Sequence, residues 1–178
     1  MERKSSTRAV FFDRDGTLME EVHYCKDPAK VKIFPGVVSA LRALQQQRWR
    51  CIIVTNQSGI GRGLITESEY HAVNEELLRQ LDGLIDATYF SPDHPDQPSE
   101  RRKPATGMLL EAAQDLSLDL EACWFVGDKE SDILCGKAVG CRTVLVETGY
   151  GAEYAGTPPD FTTRDVVHAI ADILKNTP

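Results

Sequence analysis

The chain has 178 residues, 42% of them hydrophobic and 26% charged, with a formal net charge of -7. That length suits one domain with one core, and no segment approaches the ~20 apolar residues of a bilayer-spanning helix, so no membrane partner is expected. An acidic chain lacks the basic face that nucleic acid requires, and it binds phosphate only where positive groups gather in one pocket. The N-terminal stretch MERKSSTRAV carries charge but no small-residue cleavage site of a secretory signal, which places the protein in the cytoplasm; a monomer whose partner is a small molecule is expected. Five cysteines, Cys25, Cys51, Cys123, Cys135 and Cys141, form neither a C-x-x-C pair nor a zinc-spaced cluster and read as reduced thiols. Cys51 and Cys123 open apolar runs and read as packing residues.

In chain order, residues 9–12, 51–54, 87–90, 123–126 and 143–146 are short, continuous apolar runs, the pattern of strands buried on both faces of a parallel sheet. Helical spacing alternates with them. Val37, Leu41 and Leu44 follow Pro35, and Tyr70, Val73, Leu77 and Leu81 follow the capping box Thr66-x-x-Glu69. Leu109, Ala112, Ala113 and Leu116 mark a later helix; Val166, Val167, Ile170 and Ile173 mark the last. This order predicts a doubly wound α/β fold, with a mainly parallel sheet, helices on both faces, and residues 1–178 as a single domain without a separate cap. Residues 17–34, 57–65 and 91–104 are too long for simple connections. Each follows a strand and leaves the carboxyl edge, where open parallel sheets bind ligands, so they are the expected walls of a site. Residues 149–160, rich in Gly and Pro, read as a surface loop.

The first strand runs into Asp13-Arg14-Asp15-Gly16-Thr17, which puts two carboxylates on one face where the chain leaves the sheet. Paired acids bind a metal or divide nucleophilic and acid/base duties, and Gly16 lets the turn approach a ligand. In isolation such a tetrapeptide is more often a polar turn. An EF-hand loop is excluded, because its twelfth position is Tyr24 where a bidentate Glu is required. Further polar residues end later segments: Thr55 and Asn56 after Cys-Ile-Ile-Val, Lys103 in Arg-Lys-Pro, and Gly127 and Asp128 after Cys-Trp-Phe-Val. Singly, Asp128 and Asp132 could favour a helix N-terminus, Thr55 could cap one, and Lys103 could be a solvated charge.

With Asp13-Arg14-Asp15-Gly16-Thr17, Thr55, Lys103 and Gly127-Asp128 followed by Asp132 in this order, the chain resembles the haloacid dehalogenase superfamily from about Val10 to Val146. The resemblance implies a magnesium-dependent phosphatase. Asp13 would attack phosphorus, and Asp15 would protonate the leaving alkoxide and then activate water. Thr55 and Lys103 would hold the phosphoryl oxygens, and Asp13, the backbone carbonyl of Asp15 and Asp128 would hold Mg2+. Asp132 would orient Asp128 or the lysines without touching the metal.

The runs Thr55-Asn56-Gln57-Ser58-Gly59, Arg102-Lys103-Pro104 and Gly127-Asp128-Lys129 resemble the branch of small histidinol-phosphate and heptose-bisphosphate phosphatases. By that likeness Glu21, Val22, His23, Tyr24, Asn56, Gln57, Ser58, Arg102 and Lys129 meet the substrate, with a heptose bisphosphate favoured over histidinol phosphate. A nucleic-acid 3′-phosphatase and a noncatalytic phosphate-binding domain are the remaining alternatives. Relatives in this branch often carry a Cys/His zinc loop before Arg-Lys-Pro. Here the stretch reads Ser91-Pro92-Asp93-His94 and Ser99-Glu100-Arg101-Arg102-Lys103, without thiolates, so no zinc is expected and His94 reads as a surface residue.

Overall fold

The structure is a computed structural model that describes residues 7–177. Most of the stretch read for a secretory signal therefore lies outside the described residues. Six parallel strands, β1 (Ala9–Phe12), β2 (Arg50–Asn56), β3 (Ala87–Ser91), β4 (Trp124–Gly127), β5 (Arg142–Val146) and β6 (Phe161–Thr163), lie in the order β3-β2-β1-β4-β5-β6. The helices are α1 (Val37–Gln46), α2 (Ser58–Gly61), α3 (Glu67–Gln80), α4 (Gly107–Leu116), α5 (Glu130–Ala138) and α6 (Val166–Lys175).

Strand residues alternate between two cores, which explains why the runs read as continuously apolar. Val10, Phe12, Ile53, Val126 and Val144 pack with Leu41, Leu77 and Ile170 of α1, α3 and α6. Phe11, Ile52, Val54 and Phe125 pack on the other face with Met108 and Leu109 of α4 and Cys135 of α5. A strand buried on both faces has no solvent side on which polar residues could alternate. All five cysteines are buried and unbridged.

Three elements depart from the sequence reading. Pro35 does not open α1; Gly36, at φ +84°, is its N-cap, a left-handed conformation that suits glycine. The four-residue α2 lies inside 57–65, too short to show a helical period. The edge strand β6 has no counterpart among the predicted strands. Its three residues pair with β5, and Asp160 just before it accepts Thr143 N at 2.7 Å and Thr143 Oγ1 at 2.8 Å. Three residues carry no periodic signal, so tertiary pairing alone makes that strand.

The strand order changes direction between β1 and β4, whose carboxyl ends lie side by side: Phe12 is level with Val126, and Asp13 N donates to Val126 O at 3.0 Å. That is the switch point where a crevice opens in sheets of this type. No helix among the described residues is long and apolar enough to cross a membrane. The predicted capping box is formed, with Glu69 N donating to Thr66 Oγ1 at 3.1 Å and Thr66 N to Glu69 Oε2 at 2.7 Å. Thr66→Ala is therefore expected to cost about 1 kcal/mol of stability, read as a lower urea midpoint at unchanged m-value.

Candidate active site

Asp13 stands one residue beyond β1 and is 5% exposed. Lys103 reaches it across the sheet edge. Its Nζ donates to Asp13 Oδ1 at 2.8 Å and to Val54 O at 2.7 Å, and forms an ion pair with Asp132 Oδ1 at 2.6 Å. Asn56 pins the lysine's backbone, accepting from Lys103 N and donating to Lys103 O, each at 2.9 Å. Asp132, at the start of α5, also accepts Lys129 N at 3.1 Å. Asp132 thus contacts both lysines, Lys103 by its side chain and Lys129 by its backbone.

Asp128, just past β4, is fully buried. Its Oδ2 accepts Tyr150 N at 2.9 Å, while its Oδ1 has no partner. Gly16 and Gly149, both at positive φ, pack on this carboxylate: a Cβ added to either would lie 2.5 or 2.2 Å from Asp128 Oδ2. Glycine is needed there for the approach as well as for the backbone angle.

One oxygen from each of Asp13, Asp128 and Asp132 lies within 4.8 Å of the others. Crowding three carboxylates away from water moves their proton affinities apart. Burial opposes ionisation of Asp13, yet Lys103 and then Lys129 hold its carboxyl below the usual range. Asp128 has no ion pair with Lys103, and burial together with Asp13 and Asp132 pushes it up to about 8, with Lys129 opposing. Burial raises Asp132 to about 6, with Lys103 opposing. Burial would lower Lys103, but Asp13 and Asp132 keep it charged. An orphaned, fully buried carboxylate oxygen beside a second carboxylate fits a hard divalent cation, which takes oxygen ligands and would supply the missing positive charge.

A narrow cleft over these groups is lined by Asp13, Asp15, Thr55, Asn56, Lys103, Lys129, Ser131 and Asp132. It shares Asp15, Asn56 and Lys129 with a larger cavity of about 420 Å³, whose walls are Glu21, Val22, His23, Tyr24, Cys25, Gln57, Ser58, Gly59 and Tyr150. Eight of the nine expected substrate-contacting residues thus face one chamber. Arg102 does not line it. It is half-buried in the loop after β3, its backbone N held by Ser99 Oγ at 2.9 Å, and burial with neighbouring Arg62 lowers its pKa. The three predicted walls interlock through glycines: a Cβ on Gly59 would meet Tyr24, and one on Gly61 would meet the backbone of Pro92 and His94.

Sequence reasoning missed Arg14, Ser131 and Tyr150. Arg14, between the two acids, is 1% exposed and forks onto Asp15. Tyr150 follows Gly149 in the segment read as a surface loop; that loop also leaves the carboxyl edge, which was the available signal. Lys129 Nζ sits 4.7 Å from the Tyr150 ring centroid, a cation–π contact at the cavity wall.

A parallel sheet whose switch point presents Asp13, Lys103 and Asp128 side by side defines a hydrolase of the haloacid dehalogenase class. Residues 100–173 match the HAD-hydrolase-like family. D-glycero-D-manno-heptose-1,7-bisphosphate 7-phosphatase of Thermosynechococcus vestitus is 37% identical over 91% of this chain and 93% of its own length. The D-glycero-beta-D-manno-heptose-1,7-bisphosphate 7-phosphatase of Escherichia coli K12 is also 37% identical, over 94% and 92%. The crystal structure of D,D-heptose 1,7-bisphosphate phosphatase from B. bronchiseptica, complexed with magnesium and phosphate, superposes with a TM-score of 0.87 at 28% identity, covering 96% of this chain and 99% of that one. The chain belongs to this family of HAD-like phosphatases.

Asp128 also has a measurable cost. Its carboxyl is raised from 3.8 to about 8, so the folded chain holds a proton there that the unfolded chain releases, and metal-free stability falls as pH rises through that window. Asp128→Asn should raise the metal-free Tm at pH 8 but not at pH 4, and should abolish the Tm gain on adding a divalent cation. Thermal melts at both pH values, with and without the cation, check this.

Proposed function

We propose that the chain removes the 7-phosphate of D-glycero-D-manno-heptose 1,7-bisphosphate through an aspartyl phosphate on Asp13, as a monomer of one capless domain spanning residues 1–178. The observation that carries this reading is the buried, ionised Asp13 at the floor of a cleft that opens past Asp15 into a chamber of metabolite size. Lys103 keeps Asp13 unprotonated, so an oxygen lone pair is available to phosphorus. As the Asp13–phosphorus bond forms, the bond to the sugar oxygen breaks and Asp15 gives that oxygen a proton. Asp15 then takes a proton from water attacking the same phosphorus, and Asp13 leaves as carboxylate with inorganic phosphate as product. Thr55 Oγ1 and the Lys103 ammonium, already fixed by Gln57 and Asp132, supply donors where negative charge gathers. Mg2+, held by Asp13, Asp128 and the backbone carbonyl of Asp15, would neutralise phosphoryl oxygens and let an anionic carboxylate approach an anionic ester.

For the substrate, Lys129 places one cation in the chamber, and Arg102 stands in the loop beside it with a buried, unpartnered Nη1. Together they suit a second phosphate. Glu21 presents a buried Oε2 without a hydrogen bond, 3.9 Å from Lys129 Nζ, an acceptor for sugar hydroxyls. The same oxygen suits the ammonium of histidinol phosphate, the second reading. No zinc is required in this scheme. Ser91 Oγ and Ser99 Oγ both donate to Asp93 Oδ2, and Ser99 Oγ accepts the backbone N of Arg101 and Arg102, so side-chain hydrogen bonds brace the loop.

Asp13→Asn should abolish turnover while leaving the Tm near that of the parent; phosphate release within about ten-fold of the parent would refute the nucleophile. Asp15→Asn should slow sugar-phosphate hydrolysis by about 10²- to 10⁴-fold and spare phosphorylation of Asp13 by an aryl phosphate. In a kcat/KM panel of heptose 1,7-bisphosphate, histidinol phosphate and a generic ester, heptose bisphosphate should lead. Arg102→Ala should narrow that lead, and equal loss on all three would remove Arg102 from substrate recognition.

A further inference from the structure

Arg14 is the largest charged side chain in the interior, and the proposed chemistry assigns it nothing. Its Nε donates to Asp15 Oδ2 at 2.9 Å and its Nη2 to Asp15 Oδ1 at 3.2 Å, so the guanidinium grips both oxygens of its own neighbour. The fork is itself tied down. Nη2 also donates to Gln57 Oε1 at 3.2 Å, while Gln57 Nε2 donates to Asp15 Oδ2 at 3.0 Å and to Thr55 Oγ1 at 2.9 Å. Below it, the Arg14 guanidinium carbon lies 5.4 Å from the Tyr70 ring centroid, and that ring is packed on Phe90 at 4.3 Å. Two strands and α3 thus converge on one carboxylate.

Stability is a poor explanation for this arrangement. Burying a guanidinium costs several kcal/mol, and an apolar side chain of similar volume commonly serves a core as well or better. Successive residues of an extended chain point to opposite faces, and this adjacent Arg–Asp pair meets where the chain has left β1 and turns, Leu18 N donating to Arg14 O at 3.0 Å. What the pair achieves is fixation. Arg14 is 1% exposed and Asp15 14%, so the carboxylate is tethered from its buried side while its open edge lines both the cleft and the chamber.

We infer that Arg14, braced by Gln57 and Tyr70, is a positioning residue that holds the Asp15 carboxylate at one orientation for both proton transfers. The inference rests on the acid/base role proposed for Asp15. That group meets the leaving oxygen in one step and water in the next, and a bidentate grip restricts rotation between them. Misplacing a reacting group by about 1 Å can cost on the order of 10²-fold in rate. Lysine retains the charge of Arg14 but cannot reproduce the fork.

The test compares Arg14→Lys and Gln57→Leu with the parent, loaded with Mg2+, on a sugar phosphate and on 4-nitrophenyl phosphate by stopped flow. Both variants should lose about 10²-fold in kcat on the sugar phosphate, Arg14→Lys at nearly unchanged KM. With the aryl ester, whose leaving group needs no proton, they should release a rapid burst of nitrophenolate and then turn over slowly. Equal losses on both esters without a burst would overturn the inference and leave Arg14 a structural residue. Full sugar-phosphate activity in Arg14→Lys would overturn it as well. Gln57→Leu keeps the buried ion pair and serves if the lysine variant does not fold. Parent protein inactive on every ester would instead bring down the proposed reaction, and this inference with it.

Discussion

The site is organised around one buried ammonium. Lys103 enters between Asp13 and Asp132 and pairs with both, and without it two of the three clustered carboxylates would stand as uncompensated buried charges. Its position depends on much of the molecule: Val54 O belongs to β2, Asn56 clips the backbone, and Asp132 belongs to α5. A charge gripped by a strand carbonyl and two carboxylates has little freedom. It keeps Asp13 ionised in an interior that would otherwise favour its protonation.

That compensation stops short of Asp128. Asp13 and Asp132 have a cation between them, whereas Asp128 has a single backbone donor and a neighbouring Asp13. The protein therefore carries an electrostatic fault on the side where the closely packed Gly16 and Gly149 leave no room for any side chain. A fold selected for stability alone would replace such a residue. Keeping it is intelligible as the cost of a place for a cation, and it explains how a chain of net charge -7 can still bind an anionic ester. The surplus negative charge at the floor suits a divalent cation, and the positive charge of Lys129 faces the chamber.

The outer chamber follows a different logic. Its walls are the loops after β1, β2 and β3, joined by close backbone approaches at Gly59 and Gly61 rather than by a separate folded unit. Arg101 adds a brace, pairing with Glu111 of α4 and donating to Phe90 O at the end of β3. The loop that carries Arg102 and Lys103 is in this way fastened to both the sheet and a helix, so reactive groups on irregular backbone gain the fixity of regular structure.

Much of this was legible in the sequence. The five apolar runs became strands within a residue or two, because a strand covered on both faces needs an uninterrupted apolar string wherever it occurs. Thr66-x-x-Glu69 forms its box because capping is a contact within four residues. The acids of Asp13-x-Asp15 and the chamber residues Glu21 to Tyr24 were placed by motif and by the rule that loops at the carboxyl edge bind. What only the tertiary structure decided concerns partners distant in sequence. Lys103 meets Asp13 across 90 positions, Asn56 pairs with backbone rather than facing ligand alone, and Tyr150 closes a wall from a loop that read as surface. Arg102 was expected in the chamber and lies outside its lining, while Arg14, unassigned, lies beneath it. Apolar patterning tells a residue to be buried without saying beside what. The direction of a polar side chain is set by the turn that carries it and by the charge waiting opposite, and neither exists until the chain has folded.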